Sequence, residues 1–138
     1  MKLQQSTLLG LYATLELAKA DGAQLSAADI ADKFDVSINH LSKVLRILVK
    51  ARLLQAARGA GGGYRFSGNA KRTTLMDVIE LFEPVSIEGF EHRDSPHHTD
   101  VEAGLAIALT EISEMMQATL RSITIRTMLK MMQGNGAV

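Results

Sequence analysis

Residues 57–68 read ARGAGGGYRFSG and hold four glycines within five positions, directly after Arg58. A glycine loop that cradles phosphate leads into a helix, either as the Gly-Lys-Ser/Thr of a P-loop or as the turn of a dinucleotide-binding fold. Strand-like Tyr64-Arg65-Phe66 follows here instead, and residues 53–57 before the glycines also read as a short strand. We therefore interpret the glycines as the loop of a β-hairpin.

Three helices precede the hairpin in the sequence pattern. Ser26 and Ser37 each stand where a short helix begins and carry a side chain that favours a cap. The helix after Ser37 extends to about Ala51, and its inward face is Leu41, Val44, Leu45 and Leu48. An amphipathic helix over residues 4–20 comes first, with Leu8, Leu11, Tyr12, Leu15 and Ala18 inward. Two short helices joined so closely, followed by a hairpin, predict a winged helix-turn-helix.

The outward face of the helix after Ser37 offers small hydrogen-bonding groups first and cations later. That order suits base edges in the major groove and then phosphates, although a merely solvated face would look similar. In the hairpin, glycines can adopt positive φ and approach a groove wall, and Arg58 can enter a narrow minor groove. The predicted DNA-binding residues are Ser37, Asn39, His40, Ser42, Lys43, Arg46, Lys50, Arg58, Gly61, Gly62 and Gly63, with Arg52 as a further phosphate contact.

The net charge of zero hides a division between the two halves of the chain. Residues 1–72 hold 11 Lys/Arg and 5 Asp/Glu, a net +6, whereas residues 73–138 hold 4 and 10, a net −6. A basic half indicates a polyanionic partner, unless the charges cluster by chance. There is no cysteine, which excludes disulfides, thiol nucleophiles and cysteine-ligated metal sites. No apolar run approaches the roughly 20 residues of a membrane span, and the N-terminus lacks a secretory signal pattern, so we expect a cytoplasmic protein.

The second half of the chain reads as helical. A helix capped by Thr73 or Thr74 runs towards Pro84, with Leu75, Val78, Ile79 and Phe82 inward, and a loop occupies residues 85–98. A long helix begins at about Thr99, and a short terminal helix lies within SITIRTMLKMM. The long helix carries a heptad-like seam, which could pack on its own domain but favours pairing with a second copy of the chain, since the small N-terminal half has limited surface to offer. The predicted dimer interface is Val101, Leu105, Leu109, Ile112, Met116, Leu120 and Ile123.

The motif RGAGGGY after LSAADIADKFDVSINHLSKVLRILVKARLL, with TLMDVIELFE and LRSITIRTML further on, resembles the Rrf2 family of bacterial transcription regulators over nearly the whole chain. The resemblance implies a homodimer with crossed long helices that binds a roughly palindromic operator. It also implies that Arg58 reaches the minor groove and that the start of the third helix reads the major groove. The stretch DVSINHLSKV is most similar to the nitric-oxide-responsive members.

Several positions depart from that family. Cluster-sensing members have three cysteines in the loop before the long helix, and this loop has none. Leu8 matches the place of an acidic ligand in some relatives, and Ser42 stands where certain members have a glutamate that tunes sequence choice. We therefore expect no iron–sulfur cluster and no other cofactor.

The loop leaves a sensing role open. His92, His97 and His98 lie there among carboxylates and could bind zinc, nickel or iron, although their spacing matches no metal motif and an exposed polar loop is the plain alternative. An effector of unknown kind is a further alternative. The histidines have no substrate cradle and the serines no nucleophile elbow, so we do not expect an enzyme.

The sequence thus predicts a mainly α protein with a small β-hairpin: a winged helix-turn-helix over residues 1–83, a loop over 84–98, and a dimerisation helix with a short C-terminal helix over 99–138. We expect a homodimeric repressor whose partners are double-stranded DNA and its own second copy, and no membrane. The alternative is a winged-helix module that binds another protein, or a regulator that senses a metal or small molecule through residues 91–102.

Overall fold

The computed structural model describes residues 2–58, 61–87 and 99–136. Within these residues it contains six helices and one antiparallel β-hairpin, in the order predicted from the sequence. The elements are α1 (Gln5–Lys19), α2 (Ala27–Phe34), α3 (Ile38–Lys50), β1 (Leu54–Ala57), β2 (Gly63–Phe66), α4 (Leu75–Ile79), α5 (Asp100–Ser122) and α6 (Ile125–Gly136).

Serine caps define the two helices of the helix-turn-helix. The Ser26 hydroxyl accepts a hydrogen bond from the Asp29 amide at 3.0 Å, and the Ser37 hydroxyl accepts one from the His40 amide at 3.3 Å. Between the helices, Asp35 adopts the left-handed conformation with φ 52°, which turns the chain sharply. Both predicted caps are confirmed, and they fix where α3 begins.

The core lies between α1, α2, α3 and the hairpin. All four predicted inward residues of α3 are buried, and they pack with Ile30 of α2 and Leu54 of β1. The predicted inward face of α1 is only partly right: Ala18 is buried and Leu11 and Leu15 pack half-buried against the core, but Tyr12 is 40% exposed. The buried residues of the helix are Thr7, Leu9, Gly10, Ala13, Thr14, Leu17 and Ala18. Apolar residues lie on most sides of α1, and its smallest ones mark the side that packs closely against its neighbours.

The hairpin pairs Leu54 with Phe66 and Ala57 with Gly63, so β1 begins one residue later than predicted. Leu25 extends this small sheet, because it exchanges two backbone hydrogen bonds with Tyr64, at 3.0 and 2.8 Å. The segment before α2 is thereby bound to β2, the second strand of the hairpin. The hairpin and its loop, residues 54–66, are called the wing. The helix-turn-helix and the hairpin are parts of one packed unit.

Thr74, and not Thr73, caps α4, and it forms a capping box with Asp77. The helix ends at Ile79, earlier than the predicted approach to Pro84. The amides of Leu81 and Phe82 bond to carbonyls three residues back, at 3.2 and 3.0 Å, which tightens the chain into turns.

The two C-terminal helices differ in how they are packed. Helix α5 begins after the Thr99 cap, as predicted, but its only buried residue is Ser113. Helix α6 returns to α1 and contributes the fully buried Ile125 to the core of the N-terminal unit. The division at residues 83 and 99 stays a prediction, and it groups α6 with α5 although α6 shares that core. No helix in the described ranges is long and apolar enough to cross a membrane.

Candidate nucleic-acid interface

The outward side of α3 carries a continuous polar stripe. At 3.6 residues per turn, five predicted contact residues fall within an arc of ~100°: Asn39, Ser42, Lys43, Arg46 and Lys50. Four of them are exposed, whereas Ser42 is half-buried, and the Ser37 cap is exposed at the start of the same helix. Because the buried leucines occupy the opposite side, α3 can enter a groove without disturbing the core.

His40 differs from the other predicted base contacts. It is half-buried, and its Nε2 atom is shielded from solvent without a hydrogen-bond partner among the described residues. The ring lies at the edge of the polar stripe. In this arrangement Asn39 and Lys43 present their donors outward, whereas His40 does not present Nε2.

Sequence reasoning missed two apolar side chains of α3. Ile38 and Ile47 are exposed, on a helix whose other outward positions are polar or charged. The sequence pattern gave no signal for them, because isoleucine is most often a core residue. A branched apolar side chain at this surface has the chemistry to contact a thymine methyl group.

Two glycines of the wing have separate structural roles. Gly61 has φ +78°, as expected of a hairpin loop glycine, and nothing lies near the position of its absent Cβ. Gly63 is needed for a different reason, since a Cβ there would lie 2.5 Å from the Leu25 carbonyl oxygen. Gly59 lies outside the described residues. Arg58 is exposed and directly follows β1, at the base of the loop.

The cations of this surface are not neutralised by any carboxylate among the described residues. Both salt bridges found in the described ranges involve Glu16, which pairs with Lys19 at 3.2 Å and Lys33 at 2.7 Å, on α1 and α2. The exposed cations of α3, the hairpin and the turn between them have no carboxylate partner in the part of the chain that the structure describes: Lys43, Arg46, Lys50, Arg52, Arg58 and Arg65. Their charge is available to a polyanion.

The predicted dimer seam divides into two sets. Leu109, Met116, Leu120 and Ile123 are half-buried, and Leu120 packs on the cluster of Met76, Ile79 and Val85 in its own chain. The exposed residues instead form an apolar stripe with spacings of 4, 3, 4 and 3, here called the α5 stripe: Val101, Leu105, Ala108, Ile112 and Met115. The α5 stripe includes Ala108 and Met115, which the predicted seam does not, because the seam follows a line rotated slightly around the helix.

The histidine loop cannot be placed in this surface. His92, His97 and His98 lie outside the described residues. Elsewhere in the chain, among residues 2–58, 61–87 and 99–136, no group of three His, Asp or Glu side chains is arranged to hold a metal ion. The start of the loop is anchored to α5, where Gln117 donates to the Val85 carbonyl at 2.9 Å.

Comparisons with known proteins agree with this architecture. Residues 3–131 match the model of a family called Rrf2, described as "Iron-dependent Transcriptional regulator". The chain is 52% identical over 130 residues to "Putative HTH-type transcriptional regulator BadM" of Rhodopseudomonas palustris, covering 94% of this chain and 82% of that protein.

Two solved structures are similar over 94% of this chain. The structure of CymR, the global cysteine regulator of B. subtilis, has a TM-score of 0.76 at 26% identity, and 97% of that chain is covered. The structure of IscR from T. potens has a TM-score of 0.73 at 24% identity, with 87% of that chain covered, and indicates the shared fold alone.

Proposed function

The chain belongs to the Rrf2 family of transcriptional regulators, and on that premise we propose that it binds a two-fold operator as a homodimer and represses the genes behind it. It is a DNA-binding transcription regulator of the helix-turn-helix type. The observation that carries the proposal is the polar and cationic stripe of α3, which pairs with no carboxylate in the described part of the chain, beside the exposed Arg58 of the wing.

Each subunit offers two reading elements. Helix α3 enters the major groove, where Asn39 and Lys43 face base edges and Arg46 and Lys50 bind phosphates. Arg58 enters the adjacent minor groove, where a narrow groove concentrates negative potential. Gly61 and Gly63 let the wing loop turn and hold it against the Leu25 segment, which directs Arg58 towards the duplex.

The α5 stripe supports the homodimer. Its spacing alternates between four and three residues, which keeps one side of a helix facing a partner helix. A second copy of the same helix has a matching stripe, and a two-fold pair presents two copies of α3 to two half-sites. Repression follows if the bound dimer occludes a promoter. The cytoplasm is the compartment where such a protein meets its operator.

The residues of this chain do not fit one form of iron chemistry, the cysteine-ligated iron–sulfur cluster. Iron–sulfur clusters are held by cysteine thiolates, with histidine replacing some of them in one class. This sequence has no cysteine at all. We therefore propose regulation without a cysteine-ligated cluster. The His92, His97 and His98 loop remains the candidate sensor for another metal or a small effector.

Selection of duplexes from a random pool, followed by titration of the selected duplex, tests the proposal. Arg58→Ala is expected to weaken binding by about 1–3 kcal/mol, roughly 5- to 150-fold, because it removes a cation from the groove. Arg121→Ala, which removes an exposed arginine from α5, is the matched control and should leave affinity unchanged.

Two outcomes would contradict the proposal. Equal effects of Arg58→Ala and Arg121→Ala would remove the wing from the interface. Failure to select any duplex, together with capture of a protein partner whose binding ignores salt, would favour the protein-interaction alternative, because DNA binding releases counterions and weakens steeply with salt.

A further inference from the structure

We propose that Arg65, held in place by Gln55, is a second arginine of the wing and binds a phosphate of the duplex backbone beside the groove that Arg58 enters. This rests on the proposed function, and it assigns a role to two residues that the sequence pattern did not single out.

The two side chains form a cross-strand pair. Gln55 lies opposite Arg65 in the hairpin register. The guanidinium donates from Nε at 2.9 Å and from Nη2 at 2.6 Å to the same Gln55 Oε1 atom. A guanidinium has five N–H donors, so three remain free for another acceptor. The planar group is therefore oriented before any ligand arrives, which lowers the entropy lost when it binds.

The pair lies on the outward face of the hairpin. Leu54 and Phe66 pack towards the core, and alternation along the strands places Gln55 and Arg65 on the other side, where both are exposed. An open groove adjoins the pair, bordered by Arg52, Arg58 and Arg65 together with Gln24 and Val49. No carboxylate lines it among the described residues. Three arginines without an acid define a site for anions.

The position of Arg65 favours a backbone phosphate over a base edge. Gly63 faces Ala57, so Arg58 continues β1 opposite residue 62, and Arg65 lies three residues, ~10 Å, back along β2. The minor groove is only ~6 Å wide. When Arg58 lies in the groove, Arg65 lies outside it, next to the sugar–phosphate backbone. Val49 belongs to α3, so the same groove also adjoins the helix that reads the major groove.

Salt dependence of binding separates the roles of the two residues. Affinity of the full chain for the selected duplex is measured at several salt concentrations for the wild type, Arg65→Gln and Gln55→Ala. Loss of one phosphate contact per subunit should reduce the log–log slope by ~0.9, or ~1.8 for a dimer, in Arg65→Gln. Gln55→Ala keeps the charge, so affinity should fall severalfold with the slope unchanged. Arg121→Gln is the control, and thermal unfolding verifies that each variant is folded.

An unchanged slope and affinity in Arg65→Gln, while Arg58→Ala still weakens binding, would overturn this inference and leave the proposed function intact. A wild type that binds no duplex would instead overturn the proposed function. A changed slope in Gln55→Ala would contradict its positioning role. A last arm titrates inorganic phosphate into the protein without DNA. Saturable binding that Arg65→Gln abolishes, while duplex affinity and slope stay unchanged in that variant, would indicate a small-anion site and contradict the duplex assignment.

Discussion

Helix α3 and helix α5 place their apolar side chains in opposite ways. In α3, Leu41, Leu45 and Leu48 are completely buried, and the outward residues are largely polar or charged. In α5, 23 residues long, only Ser113 is buried, while Val101 is 73% and Ile112 47% exposed. Helix α3 buries its apolar side chains within its own chain and exposes polar and charged ones. Helix α5 places apolar surface outward, which a second copy would cover in the proposed dimer.

The apolar side chains of the α5 stripe could contribute a substantial free energy to association. Full burial of one large aliphatic side chain is worth about 1.5–3 kcal/mol relative to exposure. The α5 stripe contains four such side chains in each subunit, and a symmetric pair buries both sets. We infer that association through α5 and polyanion binding through α3 are separable properties, which the following variants can divide.

The largest expected effect comes from a charge within the α5 stripe. Ile112→Glu should convert the dimer to a monomer, because a carboxylate would be desolvated without a partner at the centre of the interface. Loss of the second half-site should then lower operator affinity by about 10²–10⁴-fold. Sedimentation measures the mass, and duplex titration measures the affinity.

Ile107→Glu is the matched control for this variant. Ile107 is 64% exposed on the same helix but lies about 140° around it from Ile112. Its substitution should leave the mass unaltered. Dissociation by both variants, or by neither, would contradict the assignment of the interface to the α5 stripe.

Smaller effects are expected when a glycine of the wing and a glycine of α5 are each replaced by alanine. Gly63→Ala forces a Cβ against the Leu25 carbonyl and should break the two hydrogen bonds between Leu25 and Tyr64, which costs about 1–3 kcal/mol of the free energy of unfolding. Gly104 lies within α5, and no atom lies within 4 Å of the position that a Cβ would occupy. Gly104→Ala should therefore raise the free energy of unfolding by up to about 1 kcal/mol. Denaturant unfolding measures both, and destabilisation of equal size would contradict the proposed role of Gly63.

The smallest effect concerns the junction of α1 and α2. Partial burial raises the pKa of Glu16, but hydrogen bonds from Lys33 and Lys19 outweigh it, so the pKa of that carboxyl lies below its usual 4.5. A lowered pKa means that the carboxylate stabilises the fold fully above 4.5, and that this stabilisation is lost as pH falls through the lowered value. Glu16→Gln should cost about 0.5–1 kcal/mol at neutral pH.

Denaturant unfolding of the wild type and Glu16→Gln across a pH series checks this prediction. The two stabilities should converge as the pH falls through the lowered pKa. A difference that persists in acid would mean that Glu16 acts by packing and not by charge.

The elements of the fold could be predicted where a residue type at one position has a single common structural role. Ser26, Ser37 and Thr99 marked the helix starts, and the glycine run between two apolar segments marked the hairpin. The inward face of α1 could be predicted only in part, because apolar residues surround that helix and only tertiary packing selects Leu9, Ala13 and Leu17. The return of α6 to α1 is likewise a long-range contact without a local signature.

The candidate site was predictable in type and less so in detail. The helical spacing of the apolar residues in α3 was enough to predict that Asn39, Lys43 and Arg46 are exposed. The shielding of His40 Nε2 depends on its packed surroundings, and the Gln55–Arg65 pair depends on hairpin register, so neither can be read from spacing along one helix. The contacts themselves stay predictions until a duplex is bound.

Sedimentation of the protein with and without its selected duplex tests the central claim most directly. A dimer built on α5 that reads DNA with two copies of α3 should sediment with two chains per duplex, and the complex should dissociate steeply as salt rises. A single chain that stays free of every duplex at low salt would contradict the account.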